Sequence, residues 1–192
     1  MAVPPKLRVL ILAAVEAELS DMSGFCVGVG PIRSAVGATR LILGHRPQAV
    51  VMIGTAGALS PDLPVPSVVV ARRLGWAHSG SILGAGYVPL PPADLEADAS
   101  LVAAMNLPQA DVVTVGAITT DPQVADALRV RWQVEHMEAY SVALAAAELG
   151  VPFAAVLGLS NRVGPNAHEE WKANRQTAES AARDAVSRWL AG

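Results

Sequence analysis

Aromatic residues make up only 4% of this chain, and Cys26 is its one cysteine. A lone thiol excludes an intrachain disulfide and any cysteine-rich metal site. The histidines, His45, His78, His136 and His168, show no His-x-x-x-His spacing, so no metal is expected. Charge is scarce as well: 16% of residues are charged and the net charge is −3, which argues against nucleic acid as a partner. Long apolar runs are missing. The segment 7–14 is short and runs straight into Glu16 and Glu18, with neither the length of a membrane span nor the flanks of a signal peptide. A soluble cytoplasmic protein without membrane contact is expected.

What remains is 192 residues, 52% of them hydrophobic, with alanine, glycine and valine abundant. That suits one domain over 1–192 with a large core of small side chains. Short apolar runs alternate with stretches of helical spacing, the pattern of an α/β fold with a largely parallel sheet. The runs 7–14, 25–30, 49–54, 67–72, 111–117 and 152–159 read as strands, several apolar at successive positions as in strands covered on both faces. Helices are predicted over 31–44, 121–131 and 138–149 from proline, aspartate and glycine at their ends. Asn166 with Glu169 resembles a capping box opening a last helix, where Trp171, Ala178, Ala182, Ala185 and Trp189 share a face. The stretch 74–98, dense in glycine and proline, reads as a long surface excursion.

Chemistry-bearing residues gather where strands end, the place open α/β sheets reserve for ligands. Ala13-Ala14-Val15-Glu16-Ala17-Glu18 follows the first strand. Ile53-Gly54-Thr55-Ala56-Gly57-Ala58 reads as a tight turn leaving the third, and Ser160-Asn161-Arg162-Val163-Gly164 leaves the last. Glu135-His136-Met137-Glu138-Ala139 stands at a helix start. Gly28-Val29-Gly30 suggests a dinucleotide fingerprint but has Arg33 in place of the third glycine, so a nicotinamide reductase is disfavoured and no cofactor is expected. Close backbone packing is the better reading of those glycines.

Together these segments resemble the purine nucleoside phosphorylase and nucleosidase superfamily, and most of all its hydrolase branch. In the methylthioadenosine/S-adenosylhomocysteine nucleosidases the first strand ends in a glutamate cluster, the third in Gly-Ser/Thr-Ala-Gly, and a Met-Glu pair follows a Val-Glu. All three occur here in that order. Met137-Glu138, Gly150-Val151-Pro152-Phe153 and above all Ser160-Asn161-Arg162-Val163-Gly164-Pro165 are more similar still to the futalosine hydrolases. That group releases hypoxanthine from futalosine in menaquinone biosynthesis.

The resemblance implies a three-layer α/β/α fold with a central mixed β-sheet, a homodimer, and a small-molecule purine nucleoside as substrate. It implies Glu18 as the general base; Glu16 and Glu18 cannot both match, and register from the strand favours Glu18. Glu138 would accept from the ribose 2′ and 3′ hydroxyls, since a carboxylate has acceptors alone. Met137 would pack on the sugar, and Thr55, with Ala56 and Gly57, would help hold the nucleophilic water. Asn161 replaces the aspartic acid that protonates purine N7 in the methylthioadenosine nucleosidases. An amide cannot deliver a proton, but its NH2 can donate to N7 and a 6-oxo group, which turns the preference from adenine towards hypoxanthine or guanine. Phosphorolysis is disfavoured because Glu16 and Glu18 stand where a phosphorylase places an arginine. The alternatives are a methylthioadenosine nucleosidase and a degenerate member that binds purines without cleaving them. For a carboxylate on the ribose 5′ side, Arg162, Arg72, Arg73 and His78 remain equal candidates, and no aromatic partner for the purine is evident.

Overall fold

A computed structural model describes residues 7–192. The elements in chain order are β1 (Val9–Ala13), α1 (Glu16–Leu19), β2 (Phe25–Cys26), α2 (Pro31–His45), β3 (Ala49–Ala58), β4 (Ser67–Trp76), α3 (Ser79–Ile82), β5 (Leu95–Glu96), α4 (Ala99–Met105), β6 (Gln109–Thr114), α5 (Pro122–Arg129), β7 (Val134–His136), α6 (Ala139–Glu148), β8 (Phe153–Arg162) and α7 (Ala167–Ala191). The eight strands form one mixed sheet in the order β2-β1-β3-β7-β6-β4-β5, with β8 bridging β3 and β4. The path from β3 through β7, β6 and β4 back to β8 therefore closes on itself. The expected α/β/α architecture holds: α2 packs with α6, while α7 lies on β8, β3 and β4 and meets α1 and α4. No helix among the described residues is long and apolar enough to cross a membrane.

β3 and β8 form the spine. They pair in parallel from Val50↔Phe153 to Ala58↔Arg162, and nearly every residue of both is buried. Continuous burial explains why both read as unbroken Val/Ala/Leu runs, since neither face meets water. Gly158 lets α7 lie directly on the sheet: a Cβ there would stand 2.1 Å from the carbonyl oxygen of Ala178. A second cluster, with Val115, Val124, Leu128 and Trp132, packs under α5.

Several boundaries differ from the sequence expectation. β3, β4 and β8 each run on past the predicted ends, so Gly54-Thr55-Ala56-Gly57 is not a turn but the interior of β3, and Asn161 lies within β8. Glycine there supplies room rather than a reversal of the chain. β2 stops at Cys26, and β6 covers Gln109–Thr114 rather than 111–117. The strand β7, hidden in the polar string Val134-Glu135-His136, was not expected. The excursion starts only after Trp76 and carries α3 and the short β5, which pairs back onto β4. The capping box at Asn166 is absent; no side chain caps α7 there. Instead the neighbouring Glu170 accepts the Arg162 N–H at 2.7 Å, tying the helix to the end of β8. By contrast Asp121 caps α5 as its sequence implies, accepting from Gln123 and Val124.

Candidate active site

Glu18, Thr55, Ala56, Gly57, Met137, Glu138 and Asn161 all line one cavity of about 400 Å³ at the ends of β3, β7 and β8. Glu16 is exposed and does not line it.

Glu18 is held by backbone. Its Oε2 accepts from the N–H of Ala14 (2.9 Å) and Val15 (3.3 Å), and Oε1 from Thr55 (3.0 Å). α1 thus folds the carboxylate back over the end of β1 and ties it to β3. Burial pushes this carboxyl above the ordinary range; His136 and the Thr55 N–H oppose that rise, and the charge of Glu138 adds to it. The gap beside it depends on a glycine: a Cβ on Gly54 would stand 3.1 Å from Glu18 Oε1 and 3.0 Å from His136 Nε2.

Glu138 ends the short link from β7 to α6. Its Oε1 accepts from Gly30 N–H at 2.7 Å, so the glycine loop before α2 reaches the same carboxylate. Burial, partly countered by that bond, pushes the Glu138 carboxyl up to about 7. His136 is buried in the cavity wall, and burial takes it down to about 4, so it is neutral near pH 7. Its Nδ1 accepts from the N–H of Glu138 and Ala139, both at 3.0 Å. Nδ1 also stands 3.3 Å from Glu138 Oε2. That approach is not an ion pair, because the Nδ1 lone pair is already turned to two amides and carries no proton.

Asn161 and Glu135 flank Gly57, which pairs with Glu135 on β7 and with Asn161 on β8. The β3–β8 register slips between Ala56 and Gly57, leaving Ser160 as the extra residue on β8, a bulge that sets Asn161 beside the glycine. The Asn161 amide has one consistent orientation. The Arg162 carbonyl, 3.0 Å away, requires a donor and fixes Nδ2 there, while Ser160 Oγ donates to Oδ1 at 2.9 Å. One of the two N–H groups expected to face the base is therefore spent, and one remains. Glu135 Oε1 accepts from Thr119 N–H at 2.9 Å, its Oε2 has no partner, and burial raises its carboxyl.

None of the four candidates for a 5′ carboxylate lines the cavity. Arg72 and Arg73 are bound to Asp111 at 2.8–3.0 Å, Arg162 donates to the Ser60 carbonyl at 2.7 Å, and His78 lies beside Trp76. The cavity instead holds Arg175, with Trp171 and Glu179 on the same stripe of α7. Trp171 Nε1 donates to Thr55 Oγ1 at 3.2 Å, and the Arg175 guanidinium lies 5.1 Å over its ring. Arg175 also faces Glu179 at 3.6 Å. The i, i+4, i+8 spacing of these three is visible in the sequence, but nothing local places the first turns of α7 over β3.

A family model described as the phosphorylase superfamily matches residues 14–191. A 5′-methylthioadenosine/S-adenosylhomocysteine nucleosidase of Marinomonas sp. is 32% identical over 164 residues, covering 75% of this chain and 71% of that protein. The futalosine hydrolase of Streptomyces coelicolor is 34% identical over 180 residues, covering 84% and 75%. In fold, the chain is similar to a Helicobacter pylori MTAN mutant solved with 5′-methylthioadenosine in its active site. Its TM-score is 0.85 at 18% identity, over 96% of this chain and 98% of that one.

Proposed function

Because the chain belongs to the phosphorylase superfamily and is a nucleosidase, a hydrolase of N-glycosidic bonds, we propose that it cleaves futalosine or a related 6-oxopurine nucleoside and releases hypoxanthine. That would place it in menaquinone biosynthesis. The observation that carries the choice of base is the Asn161 amide, which lines the cavity beside Gly57 and whose free N–H has no transferable proton.

In this reading Glu138 accepts from the ribose hydroxyls and Glu18 draws a proton from water. The water oxygen bonds to C1′ as the C1′–N9 bond breaks, its proton passes to Glu18, and the electron pair goes to the purine. There the Asn161 N–H supports N7 and O6 while the base takes a proton from solvent. A carboxyl raised by burial is a better proton acceptor than an ordinary glutamate, which suits Glu18 to the task. A 6-amino base would set its N–H against that of Asn161. With only one N–H free, the discrimination falls near the low end of the cost of an unpaired polar group, ~1 kcal/mol or several-fold. For a 5′ acid, Arg175 is the one arginine or lysine among the described residues on the cavity wall.

The test is incubation with futalosine, aminodeoxyfutalosine, inosine and methylthioadenosine in phosphate-free buffer, with the released base identified by chromatography. Preference for the 6-oxo member of each pair, narrowed or inverted by Asn161→Asp, supports the reading. Equal ratios in the two proteins remove its basis. A second reading, a methylthioadenosine nucleosidase, is favoured by the apolar Val29, Ile118 and Trp171 on the cavity wall, which suit a thioether. Preferential release of adenine would select it.

A further inference from the structure

A buried core imidazole ordinarily has both nitrogens satisfied within the protein. His136 has only one. Nδ1 accepts from two amides, so the proton of the neutral ring is on Nε2. No described residue bonds to Nε2, yet it is not sealed in: the enclosed unpartnered side-chain atoms are Arg73 Nε and Glu135 Oε2, whereas His136 forms part of the cavity wall. Nε2–H is therefore a fixed donor without a protein acceptor, opening on the site.

Across the space left by Gly54 it faces Glu18. An added Cβ would be 3.0 Å from Nε2 and 3.1 Å from Glu18 Oε1, so these atoms lie at most about 6 Å apart beside the same space. A separation up to that limit is within the reach of one bridging water at ordinary hydrogen-bond distances. The charged groups facing the imidazole are Glu18 and Glu138, both acceptors.

We infer that His136 Nε2–H and Glu18 Oε1 hold the attacking water between them, His136 donating to its oxygen and Glu18 accepting one of its protons. With one donor and one acceptor in place, the remaining water lone pair is free to point at C1′. As the O–C1′ bond forms, the water proton goes to Glu18 and His136 keeps its own. His136 is a catalytic residue in the sense that it touches the nucleophile, and it positions without exchanging a proton. The inference rests on Glu18 as the general base.

Two isosteres separate its two nitrogens. The Asn side chain reaches the Nδ1 position and can still accept from the α6 amides, but it has nothing at Nε2. Gln reaches the Nε2 position with a donor and loses the amide contacts. We expect His136→Asn to lower kcat by about 10- to 100-fold with KM little changed, the scale of a misplaced reactant or a lost donor, and His136→Gln to recover part of that loss. If the ring only caps α6, the order reverses: Asn stays near wild type and Gln fails, which overturns the inference. Nitrogen-15 NMR of the wild-type imidazole decides independently of whether either variant folds. A proton on Nε2 in contact with water at pH 7 is expected, and a proton on Nδ1 overturns it. Wild-type turnover in Glu18→Gln would overturn the base assignment itself, whereas an inactive Glu18→Gln beside a fully active His136→Asn overturns only the role given to His136.

Discussion

Replacing Glu138 by Gln should change how the stability of the free protein depends on pH, in a direction fixed by two adjacent buried groups. Glu138 sits at about 7 instead of 4.5 in the folded state. Its contribution to stability is therefore fully present below pH 4.5 and is lost as pH rises through about 7. One proton over that interval, at 1.36 kcal/mol per unit, is worth about 3 kcal/mol. His136, at about 4 instead of 6.5, works the other way: its contribution is present above pH 6.5 and is lost as pH falls towards about 4. Between pH 4.5 and 6.5 the two slopes oppose each other in the wild type. In Glu138→Gln only the histidine slope survives from this pair, so the stability of wild type over variant should grow by about 3 kcal/mol from pH 7 to pH 4.5. Urea denaturation in phosphate-free buffers would read this as a change of ~1–2 M in the difference between midpoints, for an m-value of about 2 kcal/mol per molar. Parallel stability curves would mean that Glu138 titrates alike in the folded and unfolded chains, and would refute the burial argument.

Glu18→Gln keeps the volume and loses the base, so kcat should fall by about a hundredfold or more with a smaller change in KM; turnover near wild type in a stopped assay would remove Glu18 from the mechanism. Gly54→Ala should yield a folded protein with strongly reduced turnover, because its methyl group fills the space between Glu18 and His136; unchanged kcat would show that nothing reactive occupies that gap. Arg175→Met should lower the futalosine-to-inosine ratio of kcat/KM by roughly fivefold, the scale of a partly exposed ion pair, and an unmoved ratio would mean that no 5′ anion meets this guanidinium.

The fold was legible where local signals and tertiary packing agree. Val50, Val51, Met52 and Ile53 read as a covered strand because both faces are in fact covered, and Pro31 and Asp121-Pro122 mark true helix starts. β7 escaped because its three residues owe their extended state to β6 and β3 on either side, with no apolar pattern of their own. The site divides the same way. Glu18, Glu138 and Asn161 stand in contiguous motifs. His136 lay inside one of those motifs, yet its importance comes from two amide donors and a glycine 82 positions away in the chain, which no spacing rule encodes. Arg175 escaped for a related reason, since only the seating of α7 on β3 and β8 turns its stripe towards the cavity.

Electrostatics then explains why water, rather than phosphate, is the fitting nucleophile for this cavity. Glu18, Glu135, Glu138 and Glu179 all line it, and burial raises the carboxyl of each. A phosphate entering beside any ionised member of the set would cost about 3 kcal/mol per negative charge at a separation of about 5 Å and an effective dielectric of about 20. The neutral His136 offers no compensation, and Arg175, on α7 beside Glu179, is already partly neutralised. Water carries no charge into that field and finds a donor and an acceptor already in place. The same raised carboxyls that make the cavity costly to keep ionised make Glu18 a stronger base, so the instability and the chemistry have one origin.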